Sequence, residues 1–194
     1  NIKGVYLMPS CANPTGIVMP EERRREIAAV LCKHNILLIE DDAYGFTARE
    51  NAVPMTVLLP RQSIYLHSLS KLTCPGLRVA YMLVPAHFRQ LIRRAARSIS
   101  MAIPPLSAEI ASELIESGAA ERIMREKCRM SEERNRIFRG IFPAHTGNTR
   151  GFFQWMPLPV GCGGANFEAQ AQHRGVRVLS SDHFAVGGEA EHSF

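Results

Sequence analysis

Short apolar runs alternate with longer segments of helical period along the first half of the chain. Gly4-Val5-Tyr6-Leu7-Met8-Pro9 is a mostly apolar run closed by proline, which predicts a buried strand. Residues 10–19 read as a loop. Pro20-Glu21-Glu22 then opens a helix, with proline at its start and acids in its first turn, where the helix dipole favours negative charge. Ile27, Val30 and Leu31 give that helix an apolar face, and His34-Asn35 closes it. Ile36-Leu37-Leu38-Ile39-Glu40 predicts a second buried strand. Strand, helix, strand is the right-handed βαβ unit of a parallel sheet.

Ser63-Ile64-Tyr65-Leu66-His67 predicts a third strand, and the run from Leu77 through Arg78 to Val84 a fourth. The stretch between them is too short for a parallel crossover, which usually takes about a dozen residues. The fourth strand is therefore expected antiparallel, or further across the sheet. Helices follow over 85–100, 107–117 and 119–141, with Pro104-Pro105 interrupting. The last of these carries Ile123, Met124, Cys128, Ile137 and Phe138 on its apolar side. Composition changes over 143–151. Beyond it, 152–156 and 176–179 read as strands around a helix at 165–174, a small α+β module. The expected division is 1–142 as one domain and 143–194 as the other.

Composition changes this picture little. The 194 residues are 46% hydrophobic and 21% charged, ordinary for a globular protein. No apolar run reaches the roughly 18 residues of a membrane span, and no signal peptide is visible, so a cytoplasmic location is expected. Cys11, Cys32, Cys74, Cys128 and Cys162 fall at no C-x-x-C spacing, which argues against a metal centre and for a reducing compartment. The net charge of +5 is concentrated at Arg23–Arg25 and at Arg93, Arg94 and Arg97. Both groups read as solvated helix faces, so no direct nucleic-acid contact is expected. The chain opens on Asn1 rather than Met, and a longer parent is expected.

Three clusters carry candidate chemistry: Asn13-Pro14-Thr15-Gly16 after the first strand, Asp41-Asp42-Ala43-Tyr44 after the second, and Ser68-Leu69-Ser70-Lys71 after the third, with Gly76-Leu77-Arg78 following. Ligands of open α/β sheets bind outside the carboxyl ends of the strands, so all three clusters would meet on one rim. Taken singly each has an ordinary explanation. Asn-Pro-Thr-Gly is a turn sequence. Paired aspartates cap helices or ligate metals, a lysine in a serine-rich loop is a surface lysine, and Arg78 in a strand pairs with a carboxylate. Their order, each after an apolar strand, is what makes coincidence improbable.

In that order the four motifs resemble the signature of the fold-type-I pyridoxal-phosphate (PLP) enzymes, the class I/II aminotransferases. The resemblance covers nearly the whole chain. It implies an α/β fold: part of the large domain, a mostly parallel sheet flanked by helices, plus an incomplete small C-terminal α+β domain. By the same resemblance Lys71 would form the Schiff base with PLP and shuttle the proton. Asp41 would pair with the pyridine nitrogen, and Asn13 and Tyr44 would hydrogen-bond the ring's phenolic oxygen. Ser68 and Arg78 would hold the phosphate, with Ser70 as a helper. Each role suits the residue: a carboxylate keeps the ring nitrogen protonated, burial frees the lysine amine, and arginine's fork matches phosphate. Of the adjacent acids, Asp41 lies three residues before Tyr44 as the motif requires. Asp42 is expected to point away, to solvent or a backbone N–H.

The run from Gly151 to Pro159, His183-Phe184, and the ending Glu191-His192-Ser193-Phe194 are similar to MocR-type proteins, which join a GntR-type winged helix to an aminotransferase-like domain. One departure is Arg150, where related aminotransferases often have a first glycine before Gly151. The family's chain is about twice this long, so this one looks like its C-terminal half, without the aromatic ring that stacks on PLP and without the arginine that grips the substrate α-carboxylate. The resemblance implies amino transfer between an amino acid and a 2-oxo acid, in a homodimeric parent. The alternatives are a module that senses PLP or an amine for a DNA-binding domain, or an inactive fragment.

Overall fold

In the computed structural model, residues 2–48, 53–99, 103–145 and 147–186 are described. Three strands run parallel, β1 (Gly4–Leu7), β2 (Leu37–Asp41) and β3 (Ser63–Ser68), and β4 (Ala80–Leu83) adds antiparallel to β3, giving the order β1-β2-β3-β4. The short link before β4 explains its direction, since it holds only a single helical turn and a 3-10 turn. Tyr6 pairs with Ile39, and Ile39 with Ile64, which brings the carboxyl ends of all three parallel strands to one edge.

Side chains alternate across β2. Leu38 and Glu40 are fully buried on one face, while Leu37, Ile39 and Asp41 are half-buried on the other. Against the first face pack α1 (Glu21–Lys33) and the short α2 (Met55–Leu58), closing a core of Ala28, Leu31, Leu38, Met55 and Leu59. β1 and β2 are therefore covered on one face rather than buried on both, and Tyr6 is 53% exposed. A second core joins Leu69 and Leu72 of α3 (Leu69–Leu72) to Val79, to Ala111 of α5 (Pro105–Glu116) and to Ala120 of α6 (Ala119–Ile141). α4 (Arg89–Ile99), preceded by a 3-10 turn, buries no residue, and Arg93, Arg94 and Arg97 are exposed on it.

Several expectations change. Arg24 is not on a solvated face: it is 1% exposed, donating to the carbonyls of Pro9 (2.9 Å), Met19 (3.0 Å) and Val53 (3.0 Å). Burial pushes its guanidinium pKa down, opposed by the fields of Glu40, Asp42 and Glu21. Val30 is exposed, its expected place in the core taken by Ala28 and Arg24. Ile137 is likewise exposed on α6, where Ser131 and Asn135 are buried instead. The fourth strand begins at Ala80, because 75–77 form a 3-10 turn and Arg78 follows it with a left-handed φ of 54°. Among the described residues, neither 152–156 nor 176–179 forms a strand. The helix between them is α7 (Gly164–His173). Ser100 and the ending at 191–194 lie outside the described residues.

Candidate active site

The loop after β1 is tied to itself and to α1. Gly16 N–H donates to Ala12 carbonyl (2.6 Å), Ala12 N–H to Ile17 carbonyl (2.9 Å) and Met19 N–H to Pro9 carbonyl (2.8 Å). Arg24 grips both ends, at Pro9 and Met19, so a buried guanidinium fixes the loop that presents Asn13. Gly16 has φ +69°, the left-handed region that favours glycine, and the Phe153 carbonyl lies at contact distance from where a Cβ would stand.

After β2 the two acids diverge. Asp42 is 8% exposed and accepts the Tyr65 hydroxyl at 2.5 Å, on the face of Glu40; it reaches neither solvent nor a backbone N–H. Glu40 accepts from Met55 N–H (2.9 Å), Thr56 N–H (2.7 Å) and Thr56 Oγ1 (2.6 Å), capping α2. Asp41, half-buried on the opposite face, accepts from the Tyr6 hydroxyl and from Ala43 N–H (2.9 Å). Burial first, then the Asp41 hydrogen bond and charge, push the Tyr6 phenol up to about 12.

Tyr44 stands edge-on to Phe152 and Phe153, with ring centroids at 6.3 and 5.3 Å. The Lys71 amine lies over the Tyr44 ring, 5.7 Å from its centroid, and makes no ion pair among the described residues. Lys71 extends from α3, a single turn whose first N–H groups are capped by Ser68 Oγ, which accepts from Ser70 N–H at 3.2 Å. Ser70 is buried. Arg78 is exposed and makes no ion pair among the described residues.

Asn13, Pro14 and Tyr44 form one wall of a cavity of about 720 Å³. Its other walls come from Phe153, Trp155, Glu168, Arg177, Leu179 and Phe184, among others. Polar contacts from α6 hold this aromatic side: Ser131 Oγ donates to Gly151 carbonyl (3.0 Å), Asn135 Nδ2 to the same oxygen (2.9 Å), and Gln154 Nε2 to Asn135 Oδ1 (2.7 Å). Arg150 pairs with Glu132 of α6 at 2.8 Å, so this departure from a double glycine ties the segment to α6.

Residues 1–189 match the model of the family described as Aminotransferase class I and II. The chain belongs to this aminotransferase family. It is 34% identical over 189 residues to the HTH-type transcriptional regulator YdeF of Bacillus subtilis (strain 168), covering 96% of this chain and 41% of that protein. It is 28% identical over 201 residues to the 2-aminoadipate transaminase of Thermus thermophilus, covering 97% of this chain and 51% of that one. Among solved structures it superposes with TM-score 0.88 and 26% identity on LysN, the α-aminoadipate aminotransferase of Thermus thermophilus, complexed with N-(5'-phosphopyridoxyl)-L-leucine, over 98% of this chain and 52% of that chain. The chain spans about half the length of the curated relatives it matches.

The sequence motifs marked Asn13, Tyr44 and Lys71; the structure puts Asn13 and Tyr44 on one cavity wall and the Lys71 amine over the Tyr44 ring. It sets Asp41 at the end of β2 beside Tyr6, and Ser68 and Ser70 in the turn of Lys71. The motifs did not mark Phe153, Trp155, Arg177 or the α6 contacts. The aromatic density of 152–155 was the available signal for the first two.

Proposed function

We propose that the protein containing this chain transfers an amino group between an amino acid and a 2-oxo acid with PLP. The observation that carries the reading is the Lys71 amine over the Tyr44 ring, past the carboxyl ends of the parallel strands, with Tyr44 sharing a cavity wall with Asn13. The donor set fits the cofactor: an amine without a carboxylate partner among the described residues, a phenol, an amide and a half-buried carboxylate, all at or past the carboxyl ends of the parallel strands. PLP supplies an electron sink for the substrate α-carbon. Lys71 would hold the cofactor covalently and, as a free amine, would accept on its Nζ the proton that leaves that carbon. Asn13 and Tyr44 hydrogen-bond the phenolic oxygen, and Asp41 keeps the ring nitrogen protonated. Ser68, Ser70 and Arg78 hold the phosphate, for which Arg78 must turn inward from its exposed position. Phe153, edge-on to Tyr44, closes that side of the cavity. Residues 1–142 and 143–194 act as the two domains bordering the cleft, in a cytoplasmic homodimer.

The likeness to YdeF supports a second reading, in which the same pocket reports PLP or an amine to a DNA-binding domain elsewhere in the protein. One experiment separates them: visible spectra of the full-length protein with PLP, before and after addition of amino acids, beside Lys71→Ala. The enzyme reading expects a lysine-bound cofactor band in the wild type only, and its conversion with repeated turnover when a 2-oxo acid is added. A band that forms and answers amino acids without turnover favours the sensor. Identical spectra for wild type and Lys71→Ala remove both.

A further inference from the structure

The turn that carries Lys71 is short. α3 has four residues, and past it the carbonyls of Lys71 and Thr73 have no helical N–H to accept from, the usual fate of groups at a helix end. A long cation near such an end can satisfy them. The Lys127 ammonium on α6 donates to Lys71 carbonyl at 3.0 Å and to Thr73 carbonyl at 2.7 Å. It is half-buried, and desolvation pushes its pKa down.

Lys127 also has a particular place on α6. Residues four apart lie above one another on a helix, so Lys127, Ser131 and Asn135 form one stripe. Ser131 and Asn135 hold the Gly151 carbonyl, next to the phenylalanines that flank Tyr44. One rigid helix therefore grips the backbone of the lysine turn and the backbone of the facing aromatic wall.

We propose that Lys127 is a positioning residue for Lys71, closing the carboxyl end of α3 from α6 and fixing where the Lys71 side chain leaves the backbone. The consequence for the cofactor lysine rests on the functional reading above; the clamp on the turn does not. The stripe makes α6 the ruler between Lys71 and the wall around Tyr44. An offset of about 1 Å in such a geometry is enough to cost about 100-fold in rate.

The test uses the full-length protein, as wild type, Lys127→Met and Lys127→Arg. Amide hydrogen exchange is followed without cofactor. Exchange over 71–75 should rise about tenfold in Lys127→Met, given the strength of hydrogen bonds from a charged donor, and fall back toward wild type in Lys127→Arg. In parallel, PLP and borohydride label the lysines, and mass spectrometry compares Lys71 with exposed Lys33. The Lys71 preference should drop several-fold in Lys127→Met and recover in Lys127→Arg. Unchanged exchange over 71–75, or a rise spread evenly along the chain, overturns the proposal. So does an unchanged Lys71 preference. If the wild type labels Lys71 no faster than Lys33, the cofactor reading has failed, and exchange still decides the clamp. Should Lys127→Met not fold, lysine-15N spectra of the wild type decide: a slowly exchanging ammonium signal absent from Lys127→Arg supports the clamp, and the lack of one overturns it.

Discussion

Tyr6 donates its hydroxyl to Asp41 and Tyr65 donates to Asp42, so each of two adjacent acids has a tyrosine, on opposite faces of β2. The consequences differ. Asp42 is buried, and its loss strands the Tyr65 hydroxyl, whose pKa burial and Asp42 both raise. Asp42→Ala should cost about 1–3 kcal/mol in a urea titration, while Asp42→Asn should leave most of the turnover. Asp41→Asn should do the reverse: near-wild-type stability, and most of the single-turnover rate lost, because the ring nitrogen no longer keeps its proton. Damage in the opposite order would mean that Asp42 faces the cofactor. Tyr6 offers a separate check. Its folded pKa stands above the ordinary 10.0, at about 12, so the stability it contributes is complete below pH 10 and is lost as pH rises through 12. Ultraviolet titration should show one tyrosine ionising near 12 that Tyr6→Phe removes. Asp41→Asn should lower it only in part, because burial is its first cause. The three-residue spacing from Asp41 to Tyr44 was legible in the sequence; the tyrosine partners were not, because they arrive from β1 and β3 through strand register.

Among the elements, α6 was legible from end to end, and the apolar strands to within a few residues, because each has a strong period. Its buried stripe was not, since Lys127, Ser131 and Asn135 read as polar surface when only periodicity is counted. Arg24 escaped for the same reason: a middle arginine of three in a charged helix is ordinarily solvated, and only tertiary carbonyls make it a core residue. The expected strands at 152–156 and 176–179 failed differently, for an apolar run becomes a strand only when another edge accepts its N–H groups, and the described sheet of β1 to β4 pairs with neither. Arg24 supports a strong prediction at this scale. Arg24→Met keeps much of the volume and removes three hydrogen bonds from a charged donor, leaving the Met19 and Val53 carbonyls without this donor and the Pro9 carbonyl with Met19 N–H alone, beside buried Glu40. The loss should be about 3 kcal/mol in urea unfolding. Arg24→Lys should recover little of it, because one ammonium cannot reproduce the fork that reaches three carbonyls. A loss below about 0.5 kcal/mol, the level of an ordinary surface change, would show that the loop holds itself without the arginine.

At the scale of the whole molecule, the surface argues that these residues belong against others. β1 and β4 are both edges of the sheet among the described residues, and all four residues of β4 are exposed. Tyr81, Met82 and Leu83 are 45, 48 and 67% exposed, Tyr6 is 53%, and Leu106 and Ile99 reach 72 and 87%. Apolar edges with unpaired N–H and carbonyl groups are templates for pairing with another chain, even at four residues. The relatives are about twice as long, and a homodimeric parent would cover further surface. Expressed as these 194 residues alone, the chain should therefore associate without a fixed stoichiometry, seen in light scattering as a mass rising with concentration, and should bind a hydrophobic dye. The full-length protein should instead give one dimeric mass and little dye binding. Replacing Met82 and Leu83 with lysine in the isolated chain should suppress the association, because charge on an edge strand blocks pairing. A monodisperse monomer of the isolated chain at high concentration would show that the exposed edge strands are tolerated in water, and would remove the argument that the sheet needs a partner.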